Sequence, residues 1–187
     1  MDTVEKLEQD TDYRVGRRFF EMFFSRILCE ENGFKGFDYE KLCAMVLFFA
    51  HESSELLKTK LMKLLNYSDM IFYKENGISM SGLKYAHLPY GPVPEHFDML
   101  LGKMEAAHIA HIEVIYDNGY EKHQVIPECD MPKDILSQEE LDVLQRIFVK
   151  FKDFGSVDIS NYSHNEKGYN DTKQVRLYHI PMQRTFN

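Results

Sequence analysis

The sequence contains no apolar run approaching the roughly 18 residues that read as a membrane span, and no signal-peptide pattern opens it. Its three cysteines, Cys29, Cys43 and Cys129, are odd in number and far apart. That spacing excludes a disulfide framework and offers none of the close cysteine pairs that structural zinc uses. A glycine-rich phosphate loop, a G-x-S-x-G elbow and an H-E-x-x-H helix are all missing, so the usual scaffolds for nucleotide, acyl-transfer and zinc-hydrolase chemistry are missing too. Positive charge is scarce: 22 Lys and Arg stand against 30 Asp and Glu, a net charge of −8. Such a chain repels nucleic acid and anionic membranes unless its basic groups cluster. These absences predict a protein of the reducing cytoplasm with no membrane partner, no cofactor, and no catalytic or metal centre.

What remains is ample for one core. Of 187 residues, 44% are hydrophobic and 13% aromatic, which suits a single domain. We divide the chain into an N-terminal helical extension, residues 1–37, and a domain, residues 38–187. Residues 13 to 31 read as a helix whose apolar face is too wide. Val15, Phe19, Met22, Phe23 and Ile27 make one stripe and Phe20, Phe24 and Leu28 a second beside it, which predicts that a second copy, a partner protein or the domain's own tail covers the excess, the first two placing Phe20 or Phe24 at an interface.

Asp38 is positioned to cap a helix over about 39–53, with Leu42, Met45, Val46 and Phe49 at helical spacing. A second helix over about 56–76 carries Leu57, Leu61, Leu64, Leu65, Ser68, Ile71 and Phe72 on one face. It places Lys58, Lys60 and Lys63 on what reads as a solvated one, and Asn76-Gly77 stops it. The stretch Tyr85-Ala86-His87-Leu88-Pro89-Tyr90-Gly91-Pro92-Val93-Pro94 then reads as a rigid corner. Its prolines fix φ, push Gly91 and Val93 toward extended conformations, and leave Pro94 in the first turn of the next helix. That helix runs to about Ala107 on Phe97, Leu100, Leu101 and Met104.

Beyond it the period changes from 3.6 to 2, and Asn118-Gly119 supplies a type I′ turn. This register sets Val114 opposite His123 and Ile112 opposite Val125 as an inner face, with Glu113, Lys122 and Gln124 toward water. Ser137-Gln138-Glu139-Glu140 is a capping box opening a helix with a stripe of Leu141, Leu144, Phe148 and Phe151. Residues 156 to 164 form a short helix, and the end of the chain is polar and weakly patterned. The fold class is therefore mainly α, a compact helical domain with one small antiparallel β-hairpin in the order of a winged-helix-like module. His108-x-x-His111 straddles a helix-to-strand junction and lacks a second ligand pair. Consecutive residues such as Ser163 and His164 seldom converge as nucleophile and base.

The motifs Lys60-Leu61-x-Lys63-Leu64-Leu65-Asn66-Tyr67-Ser68-Asp69, the Y-G-P-V-P corner with its lead-in from Gly82, Leu136-Ser137-x-x-Glu140-Leu141-x-Val143-Leu144, and Ser163-His164-x-Glu166-x-Gly168-Tyr169 resemble, in this order, the Panacea domain. This is also called the SocA-type antitoxin or phage-associated genetic-element-protein family. The resemblance covers about residues 38 to 170. It implies an antitoxin that neutralises a cognate toxin encoded beside it by direct contact, and in one branch an adaptor that hands the toxin to a Clp protease. Lys63, Tyr67, Asp69, Tyr90, Gly91, Pro92, Val93, His164, Glu166 and Gly168 match the family pattern and are the candidate site residues. Many longer relatives carry an appended DNA-binding domain, but the 37 residues before Asp38 hold neither a CxxC pair nor a complete helix-turn-helix. The competing reading is a winged-helix nucleic-acid binder or transcription regulator of a prophage or mobile element. Its candidate basic groups are Arg14, Arg17, Arg18, Lys58, Lys60 and Lys63.

Overall fold

The computed structural model describes residues 27–164 and 177–178. Most of the expected N-terminal helix, with Phe20 and Phe24, lies outside the described residues, as do Glu166 and Gly168. The expected helix does not run through the first described residues. Ile27 to Cys29 are non-helical and a 3₁₀ turn follows at Glu30–Asn32. The cause is Asn32, a fully buried side chain that accepts from Cys29 N (2.9 Å) and donates to Ile27 O (2.8 Å), competing with the helical ladder for those groups.

Five α-helices follow among the described residues. Helix α1 (Tyr39–Glu52) is capped by Asp38, whose carboxylate accepts from Lys41 N at 3.1 Å, and it buries Leu42, Met45, Val46 and Phe49. Helix α2 (Lys58–Asn76) ends at Gly77 in the left-handed region. It is the axis of the fold, touching α1, the later helices α4 (Gln138–Phe151) and α5 (Ser156–His164), and strands from both hairpins. Because it is surrounded, α2 buries nearly every side chain from Lys60 to Phe72, polar ones included. A one-sided pattern cannot represent a helix covered on all sides.

The corner after Gly82 is a second hairpin, and this corrects the expectation of one. Strand β1 (Tyr85–Leu88) pairs antiparallel with β2 (Gly91–Pro94), Tyr85 facing Pro94 and Leu88 facing Gly91 around the exposed Pro89-Tyr90 turn. Its prolines are tolerated because β2 is an edge strand in the order β2-β1-β5, where a missing N–H interrupts no further ladder. Pro94 therefore belongs to the sheet and not to the next helix, α3 (Phe97–Ala106), which starts three residues later. Strand β5 (Leu177–Tyr178), a backbone pairing with Tyr85 and Ala86, comes from the stretch that looked unpatterned.

The hairpin of β3 (Ala110–Asp117) and β4 (Tyr120–Pro127) has the anticipated register, with Ile112 opposite Val125, Val114 opposite His123, and Asn118 and Gly119 both at positive φ. The two faces are less distinct than expected. Val125 is buried but Val114 is 47% exposed, while Lys122 and Gln124 are half-buried. The reason is that only the base of the hairpin is covered, where Val125 N donates to Leu56 O (2.8 Å) and Gln124 bridges Leu57. Helix α4 opens with the anticipated capping box: Ser137 Oγ accepts from Glu140 N (3.2 Å) and Glu140 Oε2 from Ser137 N (2.8 Å). Its buried stripe is Val143, Leu144, Ile147 and Phe151, with Leu141 and Phe148 at the margin.

Candidate functional site

Of the candidate residues, Lys63, Gly91 and Pro92 meet where α2, the β1–β2 hairpin and α5 come together. Lys63 is fully buried, which corrects its placement on a solvated face. Its stem runs beneath the hairpin, and its Nζ donates to Pro92 O at 2.9 Å. Among the described residues no carboxylate lies within ion-pair distance of it, and burial lowers the amine's pKa to about 8. Lys60 behaves similarly, its Nζ donating to Lys152 O (3.0 Å) at the end of α4, where helix carbonyls lack partners. Of the three lysines only Lys58 keeps to the surface, paired with Asp98.

Gly91 explains why the corner has glycine at this position. Its φ is +98°, and a Cβ there would lie 2.6 Å from Ser163 Oγ and 2.7 Å from Lys63 Cε. Both the conformation and the close approach exclude a larger residue. Although the proline that follows disfavours the helical region, Gly91 escapes into a region open mainly to glycine. Ser163 Oγ donates to Ser160 O (2.7 Å) within α5, so its hydroxyl is committed to its own helix. His87 on β1 is buried, and its pKa is lowered first by burial and then by the nearby His164 on α5.

Two further candidates act at the margins of this junction. Tyr67 stacks on Phe151 with ring centres 4.8 Å apart and meets Tyr162 edge-on, which fastens α2 to α4 and α5. Asp69 is fully buried two residues further along α2. Its Oδ1 accepts from Met80 N (2.9 Å) and Ser81 N (2.7 Å), and its Oδ2 from Ser81 Oγ (2.5 Å) and Tyr85 Oη (2.7 Å). Burial raises its pKa while these four donors oppose the shift. Asp69 thus ties down the strap that leads into β1.

The structure therefore brings Lys63, Gly91, Pro92 and His164 together, attaches Tyr67 and Asp69 as braces, and leaves Tyr90 on the hairpin turn at 74% exposure with Val93 half-buried beside it. Ser81, Tyr85, His87 and Ser163 complete the junction. Tyr85, His87 and Ser163 stand within the quoted motifs, whereas Ser81 lies one residue before the lead-in from Gly82 and its bond to Asp69 spans 12 residues. A groove of about 600 Å³ is lined by α2, the hairpin and the start of α3, with Met62, Tyr90, Val93, Pro94 and Phe97 among its lining residues. Among the described residues no group of three His, Cys, Asp or Glu could hold a metal ion; His108 and His111 both approach Glu128, at 3.4 and 2.7 Å. Also among the described residues, no helix is long and apolar enough to cross a membrane.

This geometry defines a mainly helical protein in which motif residues lock a short hairpin onto a helical base. A family model described as "Antitoxin SocA-like, Panacea domain" matches residues 61–169, more than half of the chain, and the chain belongs to that family. The matched span contains Lys63, Tyr67, Asp69, Tyr90, Gly91, Pro92, Val93, His164, Glu166 and Gly168. No curated protein and no solved structure matches the chain.

Proposed function

We propose that this protein is the antitoxin of a toxin–antitoxin pair and neutralises a co-encoded toxin by direct protein–protein contact, without catalysis of its own. The family match over residues 61–169 carries this reading. The hairpin anchored by Lys63 and Gly91 supports it, because an exposed turn on a rigid base is a common form of binding element. Phe20 and Phe24 extend the partner surface or join two copies, and the complex operates in the cytoplasm. In a branch of such antitoxins the bound toxin passes to a Clp protease, and an adaptor role belongs to the same proposal. The test is co-expression: the neighbouring open reading frame should arrest growth when induced alone and become harmless beside this protein. Arrest that persists with both proteins present and soluble would defeat the reading.

The winged-helix alternative has one observation in its favour, the order α3–β3–β4. Charge weighs against it. Helix α3, where a reading helix would sit, carries Asp98 and Glu105 against Lys103, and the wing carries Glu113, Asp117 and Glu121 against Lys122. Lys60 and Lys63 are buried and unavailable to phosphates. A mobility-shift titration with DNA of the protein's own promoter should show no specific complex at physiological salt.

A further inference from the structure

The β3–β4 hairpin is held only at its base, where Ala110 and Val125 are buried. From Ile112 to Asp117 it runs on for about 16 Å at the usual rise of a strand, and its apolar content does not fall as cover is lost. Val114 is 47% exposed, and Tyr116 and Tyr120, flanking the turn, are 75% and 76% exposed. Strand propensity alone accounts for tyrosine in a strand; it does not account for what the register places opposite each ring. Tyr116 faces Glu121 and Tyr120 faces Asp117, so each face of the tip presents one aromatic ring beside one carboxylate. Between residues 110 and 127 the single Lys or Arg is Lys122, and its ammonium is turned onto Asp117 (2.7 Å) and Glu55 (3.9 Å). Among the described residues, Glu121 meets only His123 (2.6 Å). The tip is thus aromatic and acidic on both faces.

We propose that the distal half of the β3–β4 hairpin is a docking surface for a cationic protein partner. Arg or Lys side chains of that partner lie on the rings of Tyr116 and Tyr120, and their charge is met by Glu121 and Asp117. A ring face attracts a cation through its quadrupole, and the adjacent carboxylate adds a charge-assisted hydrogen bond. The exposed Lys122 and His123 contacts are weak enough to exchange for a partner's guanidinium. Naming the toxin's docking surface as cationic rests on the antitoxin reading above; the ring-and-carboxylate geometry does not.

The test uses the full chain and two probes. In the first, amide NMR spectra are recorded during titration with an octapeptide of alternating Arg and Gly, and with an alternating Glu and Gly control. Shifts should concentrate in residues 113–123 with the cationic peptide alone, shrink as salt rises, and disappear in Y116S/Y120S, whose melting temperature should be unchanged. Shifts scattered over the acidic residues of α4 and the loop before it, or unaltered in the double variant, would overturn the proposal. In the second, the neighbouring gene's product is titrated against wild type, Y116S/Y120S and D117N/E121Q, and each variant should bind about tenfold or more weakly. If that product binds wild type and both variants equally well, the hairpin is not the docking surface although the antitoxin reading stands. If it does not bind wild type at all, the antitoxin reading fails, and the peptide titration decides the hairpin alone.

Discussion

Replacing Lys63 by methionine tests the central claim about the junction, that an amine with no carboxylate partner among the described residues is buried there. The amine's pKa falls from 10.5 to about 8 on burial. At about 1.4 kcal/mol per unit this corresponds to roughly 3 kcal/mol of disfavoured charge in the folded state. For a base whose folded pKa is depressed, the native protein binds fewer protons than the unfolded chain between pH 8 and 10.5. Stability attributable to Lys63 therefore rises with pH across that window, and the whole cost is present below pH 8. Methionine keeps the stem's volume and removes the charge, but it leaves Pro92 O without its donor, a loss of about 1–3 kcal/mol. At pH 7 the two changes nearly cancel, and K63M should lie within about 2 kcal/mol of wild type, on the stable side if the desolvation cost is the larger. The sharper readout is the difference in urea-unfolding free energy between the proteins at pH 7, 8, 9 and 10, in which all shared titrations drop out. Wild type should gain on K63M by about 1 kcal/mol per pH unit above 8. A difference that stays flat across the series would refute the account of a lysine whose charge is disfavoured by burial.

Gly91→Ala should lower stability by about 1–3 kcal/mol through strained φ and the clash with Ser163 and Lys63; thermal melts of G91A, and of G91A with Ser163→Gly, check this, the double variant recovering part of the loss. Asp69→Asn turns an acceptor of four hydrogen bonds into a group that must donate where Ser81 and Tyr85 now donate, costing about 1–3 kcal/mol, measured by denaturant unfolding; Y85F should cost less in the wild type and almost nothing further in D69N. Phe20→Ser and Phe24→Ser should weaken self-association by sedimentation, or rescue from the toxin, while circular dichroism stays unchanged; unfolding of both would place them in the core.

Helices α1, α2 and α3, the capping box of α4 and the register of β3–β4 were legible from residues a few positions apart. Each depends on local rules: Asp38 reaching Lys41 N, Ser137 exchanging bonds with Glu140, and Asn118-Gly119 taking the positive φ values that pair Ile112 with Val125. The corner was legible as rigid and as non-helical for the same reason, since proline restricts its own φ and its predecessor's conformation wherever it stands.

That the corner is a hairpin could not be read locally, because pairing requires knowing that β2 is an edge strand and that β1 lies between it and β5. Side-chain burial on α2 was hidden for a related reason. Lysine is charged and long, so pattern assigns it to water, whereas here β2 and α5 cover that face and a backbone carbonyl 29 residues away accepts its proton. Asp69 likewise meets partners 11 to 16 residues along the chain. Which segments coil, where they stop and which stretch must bend follow from backbone sterics and capping within a few residues, and so could be read along the chain. Which polar groups are enclosed, and what each one touches, emerges with the packed fold, because desolvation depends on what other elements bring to the site.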